Sequence, residues 1–87
     1  MPTRSKEADR AALRPSPVQM GGALRRLRVE RELTLEALAK ASDLHWTYLS
    51  GIERGRRNPT LKVLAAVAHA LGIRTSELVR LAEEADG

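Results

Sequence analysis

The stretch that decides the fold is TLEALAKASDLHWTYLSGIERGRRNPT, residues 34–60, which indicates two short helices separated by a sharp turn. Thr34 is a favourable N-cap, and Glu36 follows in the first turn, where the helix dipole favours an acid. These signals predict a helix over about 35–42. Asp43 ends this helix, because Asp tolerates the left-handed conformation that a tight turn requires.

A second helix follows at once. Leu44 and Leu49 have the spacing of a hydrophobic staple around a helix start, which marks His45 as the cap residue. Gly55 closes the helix, and an Asn-Pro pair prevents its continuation. The prediction is therefore a helix over about 46–54.

The chain before this stretch contains one further helix. Ser16 as N-cap, Pro17 at the first helical position and Gln19 at the third form a capping-box signature. The apolar spacing then predicts a helix over about 17–31. Two adjacent glycines, at residues 21 and 22, each cost about 1 kcal/mol relative to Ala and weaken its first turn.

Two more helices follow the stretch. Thr60 caps a helix over about 61–71 that Gly72 ends, and Thr75 caps a last helix over about 76–84. No segment alternates apolar and polar residues for long enough to be a strand. The sequence therefore predicts an all-α, compact five-helix bundle.

Length and composition indicate one small domain with an aliphatic core. The chain has 87 residues, 43% of them apolar, and contains no Phe. Residues 1–15 are polar and mixed in charge, so we expect a flexible basic N-terminal tail before a domain over 16–85. A basic arm that contacts DNA is the alternative interpretation of that tail.

Charge favours an anionic partner, whereas other features exclude several classes of protein. There are 15 Lys and Arg against 11 Asp and Glu, a net charge of +4. The absence of Cys excludes disulfides and thiolate metal sites. No apolar run reaches the roughly 18 residues of a membrane span, and no signal peptide is present, so we expect a cytoplasmic protein.

The helix over 46–54 has an unusual outer face. Leu49 and Ile52 define its inner face, and Trp46 and Tyr48 flank the opposite side. That opposite side is a stripe of small and polar residues at helical spacing, namely Thr47, Ser50, Gly51 and Arg54. A DNA major groove about 12 Å wide admits a helix with such a face. The alternative is that Trp46 folds back onto the edge of the core.

The residue types of this face suit DNA. Thr47 and Ser50 can donate or accept hydrogen bonds with several bases, and the Thr methyl can contact thymine. Gly51 has no Cβ, so its backbone can approach a base closely; the alternative is that this glycine is merely tolerated. Arg56 and Arg57 follow in a loop, where a phosphate strand would run.

Two motifs, LRRLRVERELTLEALAKASDL and YLSGIERGRRNPTLKVLAAVAHALGI, together resemble the Cro/C1-type (XRE-like) helix-turn-helix family of phage and bacterial transcription regulators. The resemblance covers residues 24–81, about two-thirds of the chain. It implies a lambda-repressor-like bundle and a regulator, such as a repressor, that binds double-stranded DNA and is associated with the nucleoid.

The resemblance also implies roles for single positions. The base-reading residues would be Trp46, Thr47, Ser50 and Gly51. The phosphate-binding residues would be Thr34, Tyr48, Arg54, Arg56, Arg57 and Asn58. Arg28 and Glu53 would form a structural ion pair, and Ala39 would let the two central helices cross closely. The chain departs from the family at Leu35, where a Gln commonly contacts phosphate, so that contact is lost or is made by backbone N–H groups.

A homodimer is expected, because one helix reads too few base pairs to discriminate between sites. Two-fold pairing would place two helices about 34–36 Å apart on an inverted repeat. The interface residues we expect are Ile73, Leu78, Val79 and Leu81. The alternative is that these side chains close the core of the monomer, above all Leu78.

Two other classes of function compete with this one, an enzyme and an antitoxin. His45 and His69, the only imidazoles, fall on different elements, and no Gly-rich phosphate loop follows a strand, so neither an enzyme nor a cofactor or metal site is expected. An antitoxin of the same fold, which binds a toxin partner and regulates its own operon, is the second hypothesis. Recovery of one stoichiometric small protein from the native host would favour it.

Overall fold

Five α-helices make up most of the chain that the structure describes. This computed structural model describes residues 13–86. The helices are α1 (Pro17–Glu30), α2 (Leu35–Ala41), α3 (Trp46–Glu53), α4 (Leu61–Leu71) and α5 (Thr75–Glu84). No strand occurs among the described residues, and the predicted all-α bundle is confirmed. Residues 1–12, which carry most of the predicted tail and its suggested DNA contact, lie outside them.

Side chains cap the starts of the first four helices. Gln19 N donates to Ser16 Oγ at 3.1 Å, and Ser16 N donates to Gln19 Oε1 at 2.9 Å, so the predicted capping box is formed. The hydroxyls of Thr34 and Thr60 accept from backbone N–H groups at the starts of α2 and α4. Local signals of this kind explain why the predicted helices match the observed ones to within a residue at each end.

The start of α5 differs from the prediction. Thr75 is its first residue rather than its cap, and the cap position is taken by Arg74, whose side chain makes no capping hydrogen bond. The left-handed conformation predicted at Asp43 is confirmed, with φ of 56°, and the two glycines predicted to end helices, Gly55 and Gly72, are also left-handed, with φ of 73° and 77°. α5 is therefore the one helix among the described residues that begins without a side-chain cap.

The core is aliphatic and receives side chains from every helix. Its fully buried large residues are Leu24, Leu38, Leu49, Ile52, Val67 and Leu78. α1 packs against α3 and α5, α2 packs against α3 and α4, and α4 packs against α5. Because α1 and α2 cover only the inner side of α3, its opposite side is left for solvent.

Gly21 lets α1 lie directly against the end of α3. A Cβ built on Gly21 would overlap Ile52 O, and it would lie 2.6 Å from Glu53 O. Both obstacles are backbone atoms, which cannot move aside as the end of a side chain can. The neighbouring Gly22 is exposed, with nothing within 4 Å of a Cβ at that position. The two glycines, equivalent in the sequence, therefore have different roles: the first is required by packing, and the second is not.

Arg14 joins the start of the described chain to the end of α5. Its Nε donates to Glu83 O at 2.9 Å, and its Nη2 donates to Ala85 O at 2.7 Å. Gln19 Nε2 donates to the same Ala85 oxygen at 2.9 Å. These bonds satisfy carbonyl groups that a helix end leaves without partners. Arg14 lies within the stretch predicted to be tail, yet it is anchored to the domain.

Candidate nucleic-acid interface

A sharp turn sets the angle between α2 and α3. Asp43 has a left-handed backbone, and Leu44 N donates to Ala39 O at 2.8 Å across the turn. Ala39 is buried where the helices meet, and its small side chain allows their close approach. The turn and the core together hold α3 with one side inward, so the side chains on its other side project from a rigid support.

The outer side of α3 and the loop after it form one concave surface, which we term the reading face. It is lined by Trp46, Thr47, Ser50, Gly51, Arg54, Arg56 and Arg57. Trp46 is 50% exposed, so its ring does not fold back into the core, whereas Leu49 and Ile52 on the inner side are fully buried. The structure thus brings all four residues predicted to read bases onto one surface, with three arginines beside them.

His45 holds the first turn of this surface. Its Nδ1 accepts a hydrogen bond from Thr47 N at 3.2 Å, and Thr47 Oγ1 lies 2.6 Å from the same nitrogen. An accepting Nδ1 requires a neutral ring with its proton on Nε2. The imidazole also stacks on the Trp46 ring, with centroids 6.1 Å apart and an interplanar angle of 26°. His45 therefore positions both Trp46 and Thr47, a role that its cap position in the sequence indicated only in part.

The space left by Gly51 is filled by the protein itself. A Cβ built on Gly51 would lie 2.8 Å from Arg57 Cγ, 3.7 Å from its Nε and 3.8 Å from its Cδ. The sequence suggested a backbone open to direct approach by a base. In the structure the aliphatic part of Arg57 crosses the helix at this point. The absence of a Cβ at Gly51 therefore allows the Arg57 side chain to pack against α3. No local pattern in the sequence reveals this contact.

The six residues predicted to contact phosphate differ in their settings. Thr34 is exposed, but its hydroxyl caps α2, and Tyr48 is half-buried against the core. The other four are exposed, namely Arg54, Arg56, Arg57 and Asn58. Arg56 N donates to Gly51 O at 2.9 Å, so the loop turns back along the end of α3. This turn brings three arginines to the rim of one surface.

An ion pair fixes the far end of α3. Arg28 Nε donates to Glu53 Oε2 at 2.8 Å, and Arg28 Nη2 donates to Glu53 Oε1 at 2.9 Å. The two side chains are only 15% and 6% exposed, and Arg28 Nη1 also donates to Leu33 O at 2.9 Å. The hydrogen-bonded Glu53 carboxylate raises the pKa of Arg28 above its ordinary value. Arg28 thus links α1, the loop before α2 and the end of α3.

The residues predicted to form a dimer interface are not all at the surface. Leu78 is fully buried, so assigning it to a dimer interface is wrong: it completes the core of the monomer beneath α5. Ile73, Val79 and Leu81 are half-buried at the edge of that core. The most exposed large apolar side chain among the described residues is Leu61, at 74%, and it was not among the residues predicted for the interface. Helical periodicity identified the apolar face of α5, but it could not show which members the chain itself covers.

Two kinds of site are absent from the part of the chain that the structure describes. Within residues 13–86, no group of three or more His, Asp or Glu side chains is placed to hold a metal ion. No helix in this range is long and apolar enough to cross a membrane.

Comparisons with known proteins identify repressors, transcription regulators and control proteins. A family model described as helix-turn-helix matches residues 24–78. The immunity repressor protein of Bacillus phage phi105 is 47% identical over 60 residues, which are 69% of this chain and 42% of the repressor. The chain thus spans less than half the length of that relative.

Two solved structures are similar in both fold and sequence. The restriction-modification controller protein C.AhdI from Aeromonas hydrophila has a TM-score of 0.70 and 42% identity, covering 71% of this chain and 94% of that one. C.Esp1396I bound to a 25-base-pair operator site has a TM-score of 0.69 and 32% identity, covering 76% of this chain and 87% of that one.

Proposed function

The chain belongs to the helix-turn-helix family of Cro/C1-type transcription regulators, and we propose that it binds its DNA site as a homodimer, with α3 of each subunit in the major groove. As a member of this family it is a regulator of transcription and not an enzyme. The similarity to a phage immunity repressor favours repression as its mode of action. DNA binding of this kind would associate the protein with the nucleoid.

The observation that carries the proposal is the division of α3 into a buried and an exposed side. Leu49 and Ile52 are fully buried, whereas Trp46, Thr47 and Ser50 lie on the reading face. A helix anchored along one side and small and polar on the other fits a groove about 12 Å wide. We assign base recognition to Trp46, Thr47 and Ser50, and to Gly51 together with the Arg57 side chain that lies against it.

Phosphate binding is assigned to the rim of the same surface. Arg54, Arg56, Arg57 and Asn58 are exposed there, and Thr34 and Tyr48 would approach the backbone from the starts of α2 and α3. Such contacts set the register of a protein on the duplex and make its affinity dependent on salt. The net charge of +4 is consistent with that dependence.

The homodimer is supported by geometry and by a relative. One recognition helix reads only a few base pairs, whereas C.Esp1396I occupies a 25-base-pair operator site, which spans more than two helical turns at about 10.5 base pairs each. We assign the interface of this chain to the half-buried Ile73, which lies between α4 and α5, and to Val79 and Leu81 on α5. Sedimentation across micromolar concentrations should show a monomer–dimer equilibrium, and a monomer at all concentrations would contradict the assignment.

A random-site selection with the purified protein tests the proposed function. The expected result is an inverted repeat whose half-site centres are separated by one helical turn, about 10–10.5 base pairs, or by a multiple of it. Binding should weaken steeply as salt is raised, because released counterions accompany each phosphate contact. Enrichment of no sequence, together with no binding to any duplex in dilute buffer, would overturn the proposal.

A further inference from the structure

The first turn of α3 presents apolar groups rather than long hydrogen-bonding side chains. None of the four residues assigned to base reading carries the amide or guanidinium group that pairs with adenine or guanine through two hydrogen bonds. Instead, Trp46 offers a large ring of which half is exposed. Recognition at this end of the reading face must therefore use a different chemistry.

His45 determines which part of Thr47 is available. Thr47 Oγ1 is held 2.6 Å from His45 Nδ1, and Thr47 N donates to the same atom. A hydroxyl that donates to His45 Nδ1 can no longer donate to a base, so Thr47 offers a base its methyl carbon Cγ2 and an acceptor lone pair on Oγ1. His45 also stacks on the indole of Trp46, the preceding residue on α3. The result is an exposed indole ring and a methyl-bearing threonine at consecutive positions of the reading face, both in contact with one imidazole.

We propose that this pair recognises the C5-methyl group of a pyrimidine in the major groove. Thymine carries that methyl group on the groove floor, and apolar side chains contact it there. 5-Methylcytosine presents the same group at the same position of its ring. The inference rests on the proposed function and specifies it further: each half-site holds a C5-methylated pyrimidine opposite Trp46, and affinity depends on the methyl group itself.

The first experiment changes only the DNA. In the selected operator, each thymine is replaced in turn by deoxyuridine, which removes the methyl and leaves every base-pair hydrogen bond in place. At one position per half-site, affinity should fall about fourfold, which is the loss of about 0.8 kcal/mol expected for one buried carbon. Replacing that thymine–adenine pair by cytosine–guanine should also weaken binding, and 5-methylcytosine at the same place should recover about fourfold over cytosine.

These duplexes distinguish recognition of thymine from recognition of 5-methylcytosine. They also distinguish failure of the methyl inference from failure of the proposed function. Recovery with 5-methylcytosine shows that the methyl group is recognised on either base, whereas thymine dependence without recovery restricts recognition to thymine. Equal affinity for the thymine and deoxyuridine operators at every position overturns the inference while leaving the proposed function intact. A protein that binds no duplex overturns both.

The second experiment identifies the residue. Trp46→Ala should lower affinity for the thymine operator and bring the ratio of thymine to deoxyuridine affinities close to one, and Trp46→Leu should retain part of the ratio. Ser50→Ala, one turn along the same surface, is the matched control, because it should reduce affinity and leave the ratio near fourfold. A ratio unchanged by Trp46→Ala in a variant with native helix content would assign the methyl contact elsewhere and overturn the inference.

Discussion

Single atoms decide two of the contacts that shape α3. At Gly21 the missing Cβ lets α1 pack directly against the backbone of α3. At Gly51 the missing Cβ leaves space for the aliphatic part of Arg57. Gly22 lacks any such neighbour. The three helical glycines therefore differ: packing requires Gly21, Arg57 occupies the space beside Gly51, and nothing near Gly22 requires a glycine. Each can be tested by adding one methyl group.

Gly21→Ala and Gly22→Ala form a matched pair for stability. Gly21→Ala should destabilise the fold by roughly 1–3 kcal/mol or more, because its methyl meets backbone that cannot yield. Gly22→Ala should stabilise the fold by about 0.4–1 kcal/mol, because alanine loses less backbone freedom on folding. Urea unfolding followed by circular dichroism measures both. Equal effects of the two substitutions would contradict the packing of Gly21 against the backbone of α3.

Gly51→Ala separates DNA binding from stability. Its methyl would displace the flexible Arg57 side chain, so unfolding should change little or even improve by up to about 1 kcal/mol through helix propensity. DNA affinity should fall, because Arg57 no longer lies across the helix. In an Arg57→Ala background, Gly51→Ala should cause little further loss of affinity, as a double-mutant cycle reveals. Fully additive losses would show that Gly51 acts on DNA without Arg57.

At the scale of the helix, α3 depends on partners at both ends. His45 caps its start, and Arg28 binds Glu53 at its last residue. Between these points Leu49 and Ile52 anchor it to the core. The orientation of the reading face is therefore set by four contacts on the inner side and at the ends, and none of them is among the residues assigned to DNA.

Replacing the cap should loosen the start of α3. His45→Ala should cost about 1 kcal/mol of unfolding free energy, since a backbone N–H loses its acceptor. His45→Ser should restore most of that stability, because serine caps well. It should not restore the fixed position of Trp46, since serine has no ring to stack on the indole. Thermal unfolding and fluorescence quenching of the single tryptophan measure the two effects separately, and equal quenching in wild type and His45→Ser would contradict the stacking role.

Breaking the ion pair should be far more costly than losing a surface salt bridge. Glu53→Ala leaves the Arg28 guanidinium nearly buried without its carboxylate, so we expect a loss of about 3–5 kcal/mol. The exposed pair of Arg80 and Glu84 is the control, and Glu84→Ala should cost less than about 0.5 kcal/mol. Chemical denaturation of both variants compares them. A small loss for Glu53→Ala would mean that Arg28 finds other partners.

At the scale of the whole molecule, Arg14 joins the start of the described chain to its end. The segment before α1 is joined to the end of α5 by hydrogen bonds from Arg14 and Gln19. These bonds cross nearly the full length of the described chain. The domain that we propose for residues 16–85 therefore gains stability from a residue that precedes it.

Truncation locates this boundary. A chain that begins at residue 15 should be less stable than one that begins at residue 13 by roughly 1 kcal/mol or more, as expected for lost hydrogen bonds to a charged group. Arg14→Ala in the full chain should reproduce this loss. Equal stability of the two truncated chains would show that Arg14 contributes nothing in solution.

Local signals in the sequence predicted the helices well, and contacts between distant residues account for what they missed. Ser16, Thr34 and Asp43 act on neighbouring peptide groups, so their effect on helix ends could be deduced from adjacent residues. The reading face followed from the period of one helix. Three features could not be deduced because they depend on contacts between segments, which periodicity alone does not specify. These are the contact of Arg57 with Gly51, the packing at Gly21 and the burial of Leu78.

The anchoring of Arg14 has a consequence for protein engineering. Because it fastens residue 14 to residue 85, a peptide linker of a few residues could fuse the two ends of the described chain into a ring. A circular backbone has fewer accessible conformations when unfolded, so melting would shift upward without any new side-chain contact. Reopening such a ring within an exposed loop would yield a permuted protein with the same helices in a different order along the chain.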